Sequence, residues 1–469
     1  MDIGKARAYI EKVWSESITP ALVEYIRIPN KSPAFDPDWE KNGHMARAIE
    51  LARSWCADHL PKNAEMKVVT LPGRTPVLVV DVPGDAPGNI VLYGHLDKQP
   101  EMVGWADDLG PWKPVIRDGK LYGRGGADDG YAVFSSLTAL NVLQSQGISH
   151  PRSYVMIECC EESGSYDLPA YIDHLKDDIG TPDLVVCLDS GAGNYDQLWM
   201  TTSLRGLVGG TLSVNVLNEG VHSGDASGVV PSSFRIMRML LDRIEDPNTG
   251  ALLLESLNVD IPEQRKTQAQ AAAQTLGSVV SDRFPFVDGM GPVHQDHPEL
   301  LLNRTWRPAL SYTGIDGIPS LASAGNVLRP GTSMQLSLRT PPTVDAPAVY
   351  EELKAVLEKD PPYGAEVRFE GHGASGWHAP MLQPWLEDAL ETTSQDWFGK
   401  PAMYMGEGGT IPFMGMLGEK FPQAQFIITG VLGPNSNAHG PNEFLHLDMA
   451  KRLTGCVAQL IKEQGEKAH

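Results

Sequence analysis

Positive charge is in short supply along this 469-residue chain: 38 Lys and Arg stand against 59 Asp and Glu, and the formal net charge is -21. Nucleic acid and anionic membrane are excluded as partners, since either would be repelled over the whole surface, whereas a cation-seeking site suits such a field. Cysteine is scarce as well. Five residues, an odd number without repeated spacing, make no disulfide framework and point to a reducing compartment, predicted here to be the cytoplasm. No stretch reaches the roughly 20 apolar residues needed to cross a bilayer. The opening MDIGKARAYIEKVWSES reads as an amphipathic helix lacking the apolar core and cleavage site of a signal peptide. Also missing are a G-x-S-x-G elbow, an H-E-x-x-H helix and a P-loop. GRGG at 123–126 starts like a dinucleotide fingerprint, but Asp128 stands at the position of the third glycine, and its carboxylate would repel pyrophosphate.

What the chain does contain is a series of metal-binding residue types, each placed where an apolar strand runs out into a Gly-rich turn. They are His95 and Asp97 in LYGHLDKQPE, Asp128 in GRGGADDG, Glu161 and Glu162 in EESGS, Asp189 in VVCLDSGAG, and His439 in GPNSNAHGPNE. Two imidazoles and several carboxylates gathered at one sheet edge suit a pair of divalent metals that share a bridging carboxylate and activate water. This predicts a hydrolase.

The length exceeds what one hydrophobic core usually serves, so two domains are expected. Strand-like runs at 66–71, 76–82, 90–93, 153–158, 185–188 and 425–429 alternate with helical patterns at 44–58, 131–146, 382–397 and from 447 onward. That alternation predicts an α/β domain with a largely parallel or mixed sheet, in which sites collect beyond the strand C-termini. After Ser203-Leu204-Arg205-Gly206 the pattern changes to strands at 209–216, 332–339 and 366–370 with helices at 232–244 and 346–357. This predicts an inserted ferredoxin-like α+β unit, interrupted by a polar, irregular stretch between about 246 and 320. The expected division is a catalytic domain of residues 1–205 and 375–469 and an inserted lid and dimerisation domain of residues 206–374.

Each residue also has a plainer reading. A single His among 13 is more often a surface or core residue than a ligand, but His-x-Asp places Asp97 where it can hold the His95 imidazole and fix its tautomer. Adjacent acids such as Glu161 and Glu162 usually open a solvated helix; here they follow an apolar strand, and burying them unpaired would be costly without metal. Asp129 reads equally well as a helix N-cap. Cys159 and Cys160 end an apolar strand without an evident His base, which favours structural burial over thiol catalysis.

Taken in order, GHLD, GRGGADDG, EESGS, LDS, GVHSG and GPNSNAHGPNE resemble the co-catalytic metallopeptidase family of carnosine and cytosolic non-specific dipeptidases, aminoacylases, glutamate carboxypeptidases and succinyl-diaminopimelate desuccinylases. EESGS and GPNSNAHGPNE point to the dipeptidase branch. The resemblance spans nearly the whole chain. It implies one metal site completed by His95 and Asp189, a second by Glu162 and His439, and Asp128 bridging both, with a cis Asp128–Asp129 peptide. It further implies Glu161 as the general base toward a metal-bridging water, and Asp97 as the catalytic-centre carboxylate behind His95. His222 of GVHSG would reach the partner subunit's site, so a homodimer is expected. By the same resemblance Arg339 would grip the substrate's free carboxylate, Asn326 would help hold the carbonyl oxygen from the neighbouring subunit, and Glu407 and Thr410 of GEGGTIP would line the pocket. Two departures stand out: Gly406 replaces the arginine of the REGGSIP found in relatives, and the Asp128 loop lacks the lysine of DDKG.

The expected protein is therefore a dimetal amide hydrolase of dipeptidase type acting next to a free carboxylate. Its metals would be zinc, with manganese or cobalt also suited to mixed N/O ligands, and its substrate a dipeptide or, in the alternative, an N-acyl amino acid. A catalytically silent binding protein of the same fold is the other alternative; it would need neither Glu161 nor a bridging acid.

Overall fold

A strand that is apolar at consecutive positions has to be covered on both faces, and Val77–Val82, most of Ala86–His95 and Pro151–Glu158 are of that kind. The computed structural model of the protein describes residues 1–467. It places these strands in a six-stranded sheet ordered Glu65–Val69, Val77–Val82, Pro151–Glu158, Ala86–His95, Leu184–Cys187 and Gln425–Ile428. The last four run parallel, while Val77–Val82 is antiparallel to both its neighbours. The sheet is thus mixed.

Because side chains alternate between faces, each strand feeds two cores. Val80, Ile90, Leu92 and Val155 join one core, under helices Ala132–Ser145 and Leu447–Glu466. Val79, Val91, Tyr93 and Met156 join the other, under Leu168–His174 and Pro412–Lys420. All five cysteines are buried and unpaired. Among the described residues no helix is long and apolar enough to cross a membrane.

A second sheet has the order Ala309–Asp316, Gly331–Thr340, Gly206–Asn215, Glu366–Ala374, all neighbours antiparallel. Helices Ser233–Leu241 and Ala346–Glu358 pack on one face of it and form a third, separate core. With Ala309–Asp316 as its fourth strand, the chain order is β-α-β-β-α-β.

That strand corrects the sequence reading, which left 246–320 irregular. Ala309–Asp316 lies at the sheet edge and is mostly exposed, so it carries no in/out alternation to betray it. The same stretch also holds helices Glu263–Leu276 and His297–Thr305. In the first of these the buried face is largely alanine (Ala269, Ala272, Ala273), which contrasts little with the flanking Gln and Thr. Both helices pack into the core of the large sheet, through residues such as Ala272, Leu301 and Trp306. Arg265 ties the first of them down by donating to His378 Nε2 at 3.0 Å and to the Ala379 carbonyl at 3.1 Å.

Candidate metal centre

Four parallel strands deliver the candidate ligands to one edge. Ala86–His95 ends on His95, Pro151–Glu158 leads through two buried cysteines into Glu161 and Glu162, Leu184–Cys187 leads to Asp189, and Gln425–Ile428 leads to the His439 loop. Ligands beyond the carboxyl ends of parallel strands are the arrangement such sheets favour. Gly94 is required for it: an added Cβ would lie 2.5 Å from Ala132 Cβ and 2.7 Å from Asp129 Oδ2.

Asp128 stands at the middle. Its Oδ1 is 3.2 Å from His95 Nε2, and its Oδ2 is 3.0 Å from His439 Nε2. Asp189 Oδ2 approaches His95 Nε2 at 3.7 Å, and Glu162 Oε2 approaches His439 Nε2 at 3.2 Å. Donor atoms of His95, Asp128 and Asp189 all lie within 4.8 Å of one another, as do those of Asp128, Glu162 and His439. Glu161 is set between the groups, with Oε2 4.0 Å from His95 Nε2.

Asp97 braces this arrangement from behind. Its carboxylate lies 3.4 Å from His95 Nδ1 and accepts the backbone N–H groups of Glu161 at 3.1 Å and Glu162 at 2.9 Å. His95 Nδ1 lies nearer the Asp97 backbone carbonyl, at 3.1 Å, so Asp97 holds the imidazole chiefly through its main chain and the turn carrying two acids through its carboxylate. Asp129, joined to Asp128 by a cis peptide, is fully buried; its Oδ2 accepts the His95 N–H at 3.3 Å, and its Oδ1 has no partner among the described residues. It is not a helix N-cap.

The electrostatics call for cations. Burial pushes the Glu161, Glu162 and Asp189 carboxyls upward, Glu162 to about 7. For Asp128 the imidazoles of His439 and His95 overcome burial and hold it below the usual carboxylate range. Against the downward push of burial, Asp128 and Glu162 raise His439 to about 11. The acids thus favour positive charge on the imidazoles they face. Imidazole nitrogens and carboxylate oxygens in two trios sharing one aspartate are a donor set that divalent ions fit, and binding them would displace those protons.

Several functional residues escaped sequence reading. Gln99 donates to Glu162 Oε2 at 2.6 Å. Arg124, of the GRGG run, is fully buried; it pairs with Glu443 and donates to the carbonyls of His439 at 3.1 Å and Gly440 at 2.9 Å. His439 itself has φ 64°, a left-handed conformation that costs a non-glycine residue roughly 1–2 kcal/mol, so the Arg124 clamp holds the ligand loop against its own backbone preference. Glu443, in GPNE, was the one available signal.

The remaining predicted residues fall in two places. Arg339 donates to Thr410 Oγ1 at 3.3 Å, and Thr410 in turn donates to the Arg205 carbonyl at 2.5 Å. Glu407 lies over Gly191, where a Cβ would meet its Oε1 at 2.3 Å. His222 and Asn326 sit together on an exposed two-stranded ribbon, with His222 paired to Val327 and the Ser223 N–H donating to the Asn326 carbonyl at 2.9 Å. Within its own chain His222 caps a turn, Nδ1 accepting the Gly224 N–H at 3.1 Å. Among the described residues no hydrogen bond or ion pair links this ribbon to the metal-ligand cluster.

The family model for peptidase family M20/M25/M40 matches residues 91–463, a span containing every residue placed in the centre. The chain belongs to that family. As a member of M20/M25/M40 it is similar to a cysteinylglycine-S-conjugate dipeptidase of Corynebacterium striatum, 28% identical over 78% of this chain and 80% of the relative. A human Beta-Ala-His dipeptidase is 25% identical over 73% of this chain and 69% of the relative. Among solved structures, the di-peptidase Dug1p of Saccharomyces cerevisiae superposes with a TM-score of 0.80 over 100% of this chain and 99% of that one, at 20% identity. Human carnosine dipeptidase 1 gives 0.76 over 99% and 100%, at 22%. These two likenesses establish the fold.

Proposed function

We propose that this M20/M25/M40 peptidase is a dipeptidase that cleaves the amide bond of small peptides carrying a free carboxylate, using two divalent ions per chain, zinc in the first instance. The observation carrying the reading is Asp128, whose two oxygens face two different imidazoles, with Glu161 alongside. His95, Asp128 and Asp189 would hold one ion, and Asp128, Glu162 and His439 the other. When bound, such ions supply Lewis acidity and an acidified water. Glu161 takes the proton of the attacking water and passes it to the departing amine. Asp97 keeps the imidazole of His95 and the turn bearing Glu161 in place. Arg339 holds the substrate carboxylate, and Asn326 with His222 of a partner subunit stabilises the developing oxyanion. Within 206–374 the small sheet and its two helices act as lid and dimerisation domain, apart from helices Glu263–Leu276 and His297–Thr305, which pack on the large sheet, and the buried thiols suit a cytoplasmic setting. A panel of dipeptides and N-acyl amino acids offered to metal-reconstituted protein tests the reading; turnover confined to N-acyl amino acids would replace it with a deacylase.

Arg339→Ala should weaken substrates with a free carboxylate more than their amidated counterparts, by about 2–5 kcal/mol for a desolvated pair. Equal losses in kcat/KM on both types would make Arg339 structural.

His222 is tested by complementation. Inactive Glu161→Gln and His222→Ala proteins are mixed under subunit exchange. In a trans arrangement both lesions fall in one site of the heterodimer and the other site is intact, so activity returns to about half of normal per heterodimer. Exchange without recovery assigns His222 to its own chain or to no site.

A further inference from the structure

Gly406 has no room for a side chain: an added Cβ would lie 2.4 Å from Ser203 Oγ and 2.8 Å from Thr305 Cβ. Thr305 ends the helix His297–Thr305, and the residue before it is an arginine. Arg304 reaches a cavity of about 730 Å³ that opens between the loop after Asp189 and the loop bearing His439. The charged side chains lining that cavity are Arg283, Arg304 and Glu407. Two guanidiniums thus face one carboxylate, a local excess of positive charge in a protein of formal charge -21.

Arg304 is poorly satisfied. Its Nη2 donates to the Met405 sulfur at 3.1 Å, and its Nε has no hydrogen-bond partner among the described residues. A guanidinium left with a soft sulfur acceptor is an open fork for a planar anion. The field continues below it: burial, with Arg339 and Arg304 nearby, pushes Arg205 down to about 10. The loop from Glu407 to Thr410 joins the two ends of this region, since Thr410 accepts from Arg339. A substrate whose terminal carboxylate meets Arg339 extends its other end toward Glu407 and Arg304.

We propose that this cavity selects dipeptides with a carboxylate side chain on the residue N-terminal to the scissile bond, Arg304 and Arg283 taking the side chain and Glu407 the ammonium. The proposal rests on the dipeptidase reading, and it gives the helix His297–Thr305 a purpose: it brings Arg304 to the pocket beside a Gly406 loop that has no room for a side chain. Binding is measured separately from turnover, by calorimetry on zinc-loaded Glu161→Gln protein. Glu-Ala should bind about tenfold more tightly than its isostere Gln-Ala, the scale of one charge-assisted contact. Adding Arg304→Gln should bring the two affinities together, and Arg283→Gln, on an exposed segment, should narrow the gap about threefold. The second variant serves should the first not fold, and the Glu-Ala to Gln-Ala comparison needs no pocket variant at all. Equal affinities, tighter Gln-Ala, or no binding of either peptide overturns the proposal. Preferential Glu-Ala binding by a protein that hydrolyses no dipeptide would leave the pocket assignment standing and remove the dipeptidase reading; hydrolysis without acidic preference would do the reverse.

Discussion

Glu161→Gln protein is expected to fold and to bind metal as the parent does, while turnover falls by about 10²–10⁴-fold, the usual cost of a lost general base. Its backbone N–H is held by Asp97 Oδ1, an interaction that glutamine keeps. The Glu161 side chain stands 4.0 Å from His95 Nε2 but belongs to neither trio of donor atoms, so removing its charge leaves both ligand sets complete. Burial raises its carboxyl, as do Asp189, Glu162 and Asp97, a push that cations held by the two trios would oppose. Steady-state rates on the best dipeptide, with metal content per chain measured on the same sample, check the expectation. Near-normal turnover in a metal-replete variant would reassign the base.

Chelation should abolish hydrolysis, and readdition of about two divalent ions per chain should restore it, since ions held by the two trios would supply the acidified water that Glu161 deprotonates. Among ligand variants Asp128→Asn should be the most damaging. Both its oxygens are engaged, one toward each imidazole, and it belongs to both trios of donor atoms, so its loss would cost each site a ligand, whereas Glu162→Gln or Asp189→Asn would disturb one. Metal stoichiometry after dialysis distinguishes the cases, and full activity in metal-free protein would end the metal reading altogether. The metal-free protein should also show a characteristic pH response. Glu162 is raised from its ordinary 4.5 to about 7 in the folded state, so its protonated form is favoured by folding. The associated stability is present below 4.5 and lost as pH rises through about 7. Thermal midpoints of metal-free protein should therefore fall across that window, and those of metal-loaded protein should not.

The residues that gather at the candidate metal centre are legible in sequence because each combines a chemically distinctive side chain with a strand-to-glycine transition that has few other uses. His95, Asp128, Glu162, Asp189 and His439 could be singled out before any coordinates, and the two sheets could be told apart by their alternation. What could not be read depends on partners distant in sequence. Arg124 looked like part of a failed nucleotide motif, yet its role is set by Glu443 and by the carbonyl of His439. Arg304 lies on a nine-residue helix, His297–Thr305, that buries only Leu301, Leu302 and Thr305, too short an apolar stripe to stand out from the polar stretch around it. The edge strand Ala309–Asp316 was invisible because exposure removes the apolar code by which strands are recognised.

The topology of the large sheet also sets an order of events. His439 reaches the centre on a loop that follows Gln425–Ile428, the outermost strand, which pairs only with Leu184–Cys187. Until that distant pairing is made, His95, Asp128, Glu162 and Asp189 face one another with a single imidazole among them, and the nascent edge is a cluster of mutually repelling acids. Long-range strand pairing of this kind is slow compared with local helix formation. The trio of Asp128, Glu162 and His439 is thus complete only when that strand has paired, and the strand that closes the sheet is also the one that brings a second imidazole to the acids.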